Sequence, residues 1–176
     1  MKHWKIAAMM VGLALFAAPT MAEPLKDRLA TLGHRNWIVV ADMAYPDQSR
    51  AGIETIYIGG DQRDAVERVL AAIAAAPHVR GNVFVDDELN YVAEADAPGI
   101  DAYRAKLNTL LEGRSVERIP HEQIIAKLDD AAKTFRILIL KTDMTLPYTS
   151  VFIQLDCGYW SADKERRLRA RMNQNE

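Results

Sequence analysis

Cysteine is almost missing from this chain: Cys157 is the only one in 176 residues. An intrachain disulfide is therefore impossible, and no Cys pair exists to build a structural zinc site. Cys157 is expected to be a buried thiol. An excess of positive charge is missing as well. With 22 basic and 24 acidic residues the net charge is −2, which leaves no basic face for a phosphate backbone and argues against nucleic acid as a partner. Phosphate-binding glycine motifs are absent. Gly59-Gly60 is followed by Asp61 and Asp64, which repel an anion, so the pair reads as a strand-to-helix turn. There is no G-x-S-x-G, which sets hydrolase chemistry aside. The histidines His34, His78 and His121 show no metal-ligand spacing, and no metal site is expected.

What is present begins with a leader pattern. Lys2, His3 and Lys5 precede an apolar run from Ile6 to Ala18, and Pro19-Thr20-Met21-Ala22 ends in small residues at the positions a signal peptidase reads. The run is too short to span a bilayer comfortably. Residues 1–22 are read as a signal peptide, and residues 23–176 as one exported domain, secreted or periplasmic and free of the membrane after cleavage. Without Lys2 and Lys5 the net charge becomes −4.

Hydrophobic periodicity sets out the rest. Helices are expected from Pro24 to Leu32, after Asp61, from Pro98 to Gly113, after Pro120, and from Ser161 to Met172. Strands are expected from Asn36 to Ala41, Glu54 to Ile58, Asn82 to Val85, Ser115 to Ile119, Phe135 to Leu140 and Tyr148 to Leu155. Strands alternating with helices imply β-α-β units and a sheet covered on both faces. The expected fold is a single three-layer α/β/α domain with a mixed, mostly parallel sheet of about six strands. The last two strands, joined by a short turn, are expected to pair antiparallel.

The polar residues of interest bracket this pattern. His34 enters the first apolar strand and Asp42 leaves it. Each has a routine use: a His beside a helix-ending Gly33, an Asp forming a turn. His121 falls in the first turn of a helix, where the dipole disfavours imidazolium. Tyr148 and Ser150, two apart, would share one face of a strand. His78, after Pro77, and the acidic run Asp86-Asp87-Glu88 both read as solvated turns.

Taken together, several of these stretches resemble one family. Leu32-Gly33-His34, an apolar strand, Asp42 and then Pro46 resemble the opening of D-ribose pyranase and L-fucose mutarotase, and His121-Glu122-Gln123 and Pro147-Tyr148 match its other end. The resemblance spans Leu25 to Gly158. It implies a cofactor-free isomerase that interconverts ring forms or anomers of a free monosaccharide. It further implies His34 as catalytic proton donor and Asp42, His121, Tyr148 and Ser150 as sugar-binding residues. Ser150 stands where the family usually has Asn, and Asp143-Met144 where it has Gly-Glu. Both changes fall near the sugar. A non-catalytic sugar or small-molecule binding protein on the same fold is the alternative.

One geometric constraint follows from the strand itself. Eight extended residues at roughly 3.3 Å each place His34 and Asp42 about 25 Å apart. One monosaccharide cannot bridge that in a single subunit: either the chain bends sharply at an end or a neighbour completes the site, and the second, a homo-oligomer with sites between subunits, is expected, in keeping with the rings known for the family.

Overall fold

The five residues Trp37–Ala41 are buried at every position, as only a strand covered on both faces can be. They form β1, near the centre of the sheet. The computed structural model describes residues 22–174; the leader read over residues 1–22 lies, but for its last residue, outside them. In chain order the elements are α1 (Ala22–Thr31), β1, β2 (Ile53–Tyr57), α2 (Gln62–Ala75), β3 (Val79–Asp86), a 3-10 turn (Asp87–Asn90), α3 (Ile100–Leu110), β4 (Val116–Ile119), α4 (His121–Ala131), β5 (Ile137–Lys141), β6 (Val151–Cys157) and α5 (Ala162–Met172). The six strands lie in the order β2-β5-β1-β6-β3-β4. β6 runs antiparallel to both neighbours, and every other adjacent pair is parallel.

The three layers follow from alternation along the strands. Ile38, Val40, Val83, Val85 and Ile153 face α1, α2 and α3 in one core. Trp37, Val39, Phe84, Ile139 and Phe152 face the other way and meet Ile124 and Leu128 of α4. α5 buries no residue. Asp61 caps α2, its carboxylate accepting from the Asp64 N–H. Gly59 and Gly60 at φ 61 and 73 make the turn into that helix, a conformation glycine adopts without steric penalty.

Five expectations need correction. β5 and β6 do not pair, because β1 is inserted between them: the buried β1 supplies a partner for each. Tyr148 and Ser150 are not on a strand, since β6 begins at Val151. His78 is not a solvated residue; its Nε2 lies 3.0 and 3.2 Å from the Leu29 and Leu32 carbonyls at the end of α1, where carbonyls run short of helical donors. Asp86 is not part of a solvated turn but is 1% exposed. Cys157 is only partly buried.

Candidate functional site

The carboxyl ends of parallel strands are where open α/β sheets gather their functional side chains. Here β1, β3 and β4 all finish at the end of the sheet where β6 begins, as the register of Val40 and Val85 on Val151 requires. Asp42 follows β1, Asp86 closes β3, His121 lies two residues past β4, and Tyr148 and Ser150 precede β6. Four of the five expected site residues, Asp42, His121, Tyr148 and Ser150, thus share one rim.

The contacts on that rim are specific. The Ser150 hydroxyl donates to Asp42 Oδ2 at 2.8 Å and accepts from the Asp42 N–H at 3.2 Å. Ser150 is 1% exposed, and its hydroxyl is turned to Asp42 rather than to the open rim. His121 Nδ1 lies 3.1 Å from Asp86 Oδ2. Its backbone N–H donates to both oxygens of Glu88 at 3.0 Å, a carboxylate meeting the positive end of α4. The His121 ring meets the Tyr148 ring edge-on, centroids 5.7 Å apart.

Tyr148 is held in the left-handed region at φ 57, uncommon for a residue with a side chain and typical of functional sites. The adjoining Thr149 keeps it there. Its carbonyl accepts from Gln62 Nε2 at 2.9 Å and from the Tyr103 hydroxyl at 2.9 Å, both buried, and its hydroxyl donates to Leu146 O at 2.8 Å.

Charge accumulates on this rim. Burial pushes the Asp86 carboxyl up to about 6, against the opposing charge and hydrogen bond of His121 and with the help of Glu88 and Asp42. Burial, then the charges of Asp86, Asp129 and Asp42, pushes the Tyr45 phenol well above its ordinary range. Asp86 and Tyr45 are site neighbours that sequence reasoning missed. The available signal was the position of Asp86 at the end of the apolar run Val83-Phe84-Val85, the same pattern that singled out Asp42.

His34 is placed elsewhere. It sits on a turn before β1, next to Arg35, which takes φ 74. The turn shortens the extended path expected from His34 to Asp42, yet the two stay at opposite ends of the sheet. His34 Nδ1 lies 2.9 Å from Asp156 Oδ1 near the end of β6, whereas Asp42 meets Ser150 at its start. Six residues of strand between those partners correspond to about 20 Å. Asp156 is shared with Arg80. Burial works to raise its pKa, but the Arg80 and Cys157 hydrogen bonds and the Arg80 charge outweigh it and hold the carboxyl below its usual range. His34 lines a cavity of about 550 Å³ with Trp37, Phe84, Lys127, Gln154 and Asp156. The Trp37 indole N–H is buried there without a partner.

Asp143 forms a clasp beside the rim: it accepts from the Tyr57 hydroxyl at 2.6 Å and from the Gly60 N–H at 2.8 Å. Met144 packs against the first core, and its carbonyl accepts from the Met43 N–H at 2.7 Å, one residue past Asp42. Among the described residues no His, Cys, Asp and Glu side chains are grouped to hold a metal ion, and no helix is long and apolar enough to cross a membrane.

Comparison with known proteins gives a consistent picture. The family model described as the RbsD / FucU transport protein family matches residues 17–157. Among solved structures, Bacillus subtilis RbsD complexed with D-ribose is similar at 19% identity, with 84% of this chain and 100% of that chain covered and a TM-score of 0.55. FucU from Bifidobacterium longum is similar at 14% identity, with 74% and 90% covered and a TM-score of 0.50. The fucose mutarotase of Streptococcus pneumoniae in complex with L-fucose gives 18% identity, 73% and 87% covered, and a TM-score of 0.49. At these identities the shared property is the fold. No curated protein matches.

Proposed function

Because the chain belongs to the RbsD / FucU transport protein family, we propose that it is a cofactor-free isomerase interconverting the ring forms or anomers of a free monosaccharide. The observation that carries this reading is the convergence of Asp42, His121 and Tyr148 on one rim, with Ser150 fixing Asp42 from behind. Short polar groups of both donor and acceptor character suit a ligand made of hydroxyls. Opening a hemiacetal requires a proton delivered to the ring oxygen and one removed from the anomeric hydroxyl, and closing reverses both. Such proton transfers need no redox or electrophilic cofactor. His34 is the proton donor in this scheme; Asp42, His121 and Tyr148 hold sugar hydroxyls.

His34 reaches that sugar only from a neighbouring copy, since within one chain it lies at the far end of β6. The working protein is therefore a homo-oligomer in which the His34 end of one subunit docks on the Asp42 end of the next. The test is NMR exchange between ring forms of ribose, fucose and other free monosaccharides. Wild type accelerates exchange of at least one sugar, and His34→Ala lowers that acceleration by roughly 10²-fold or more, the usual worth of general acid–base help. No acceleration of any sugar across a broad panel would reject the isomerase.

One observation favours the alternative of a sugar-binding protein without turnover. The Ser150 hydroxyl is engaged by Asp42 in both directions and offers the sugar nothing directly. Saturable sugar binding with no added exchange would establish that alternative. We also propose that residues 1–22 are removed on export to the periplasm or medium. Protein recovered from that fraction should begin at Glu23, and a start at Met1 would end this part of the reading.

A further inference from the structure

Asp86 Oδ1 is buried with no hydrogen-bond partner, although it belongs to a carboxylate, the group least tolerant of being left so. The other oxygen of Asp86 faces His121 Nδ1. Asp86 is sealed at 1% exposed, while the His121 side chain keeps 32% of its surface open. The order from interior to solvent is thus carboxylate, imidazole, open rim, with Tyr148 against the imidazole edge. A carboxylate facing Nδ1 fixes the proton on that nitrogen and leaves the Nε2 lone pair on the other side of the ring. A group placed only to anchor α4 would not need this, because Glu88 already receives the backbone N–H of His121.

We propose that Asp86 is a positioning residue that makes His121 the proton acceptor of the ring-opening step. The inference rests on the isomerase reading above and deepens it by naming the base. In the step, the anomeric O–H bond breaks and its proton passes to His121 Nε2. The electron pair released forms the C=O bond at the anomeric carbon. The bond from that carbon to the ring oxygen breaks, its electrons stay on the ring oxygen, and that oxygen takes the proton carried by His34 of the neighbouring copy. Asp86 stabilises the imidazolium formed at His121, and closing the ring runs each transfer backwards. Charged or titratable groups facing Asp86 are His121 from α4, Glu88 from the 3-10 turn, Asp42 from the end of β1, and Tyr45 from the loop after it. Three of these neighbours are acidic or phenolic, so protonation of Asp86 in mild acid relieves repulsion and removes the support for imidazolium.

Two measurements decide it. The first uses wild-type protein without sugar: ¹⁵N NMR of the histidine rings at pH 7.5–8 should show neutral His121 protonated at Nδ1. Protonation at Nε2 would overturn the inference, whatever the enzyme does. The second is Asp86→Asn in the full chain. Exchange should slow by roughly 10²-fold while sugar affinity stays within about threefold, a loss confined to the transition state. The acid limb of the rate profile should change with it, because only the imidazole and no longer the carboxyl behind it then titrates on that limb. An unchanged rate, or a loss of affinity alone, would overturn the inference. A wild type that exchanges no sugar would defeat the isomerase reading instead, with the tautomer measurement still reporting whether Asp86 sets the ring of His121.

Discussion

Asp86 is a destabilising residue at neutral pH, and its sign can be worked out. Burial raises its pKa from 3.8 to about 6, so the folded protein binds a proton that the unfolded chain has already released between those values. Stability linked to Asp86 is therefore complete below about pH 4 and is lost as pH rises through about 6. Two units correspond to roughly 2–3 kcal/mol. Asp86→Asn removes the titration. From pH 4 to pH 7.5 the wild type should lose roughly 2–3 kcal/mol relative to the variant in thermal melts, and parallel curves would show that Asp86 ionises freely. Asp156 acts with the opposite sign: its carboxyl is held low, so its contribution is present at neutral pH and is lost on acidification. A site that keeps a costly carboxylate behind an imidazole is the usual exchange of stability for activity, and Asp86→Asn should gain one while losing the other.

At the scale of elements, α4 and α5 make a useful contrast because both are amphiphilic in sequence and equal in length. α4 places Ile124 and Leu128 in the second core with no exposed surface. Leu128→Ala should cost about 2–5 kcal/mol, the range for truncating a buried leucine. α5 exposes Leu168 and Met172 and ties its charges to one another, Asp163 to Arg166 and Glu165 to Arg169. Leu168→Ala should change stability by no more than about 0.5 kcal/mol; a larger loss in urea unfolding would mean the helix is packed. The periodicities behind these elements were legible in the sequence, because alternation in strands and the 3.6-residue stripe in helices are imposed by the core itself. Pairing was not: nothing in the turn between Thr142 and Ser150 says that β1 will enter between β5 and β6. Tyr148 read as a strand residue because the apolar run Val151-Phe152-Ile153 follows close behind it, and its left-handed backbone is imposed from outside by the buried Gln62 and Tyr103. Asp86 looked solvated because its burial depends on α4 arriving from 35 residues along the chain. The places of His34, Asp42 and His121 at element ends were legible from local pattern, whereas the roles proposed for them came from the family resemblance, because local pattern alone gives each a routine use.

For the whole molecule, the fold has two polar ends and one sheet between them. Each end carries an imidazole beside a carboxylate: His34 with Asp156 at one, His121 with Asp86 at the other. An interface in which one end meets the other is heterologous, and it closes into a ring only if the rotation between copies allows. Every site then draws one histidine from each of two subunits. This has a consequence that no single-subunit site shares. In the proposed assembly, His34→Ala and Asp42→Asn subunits should each be inactive alone, because every interface would lack one of its halves. Mixed during assembly in equal amounts, they should recover about a quarter of wild-type exchange, the fraction of interfaces that join an intact His34 end to an intact Asp42 end in a heterologous array. Light scattering on the mixture should show the wild-type mass. Recovery absent at full assembly would place both residues in separate sites. A protein monomeric at working concentration would leave His34 with no sugar to protonate.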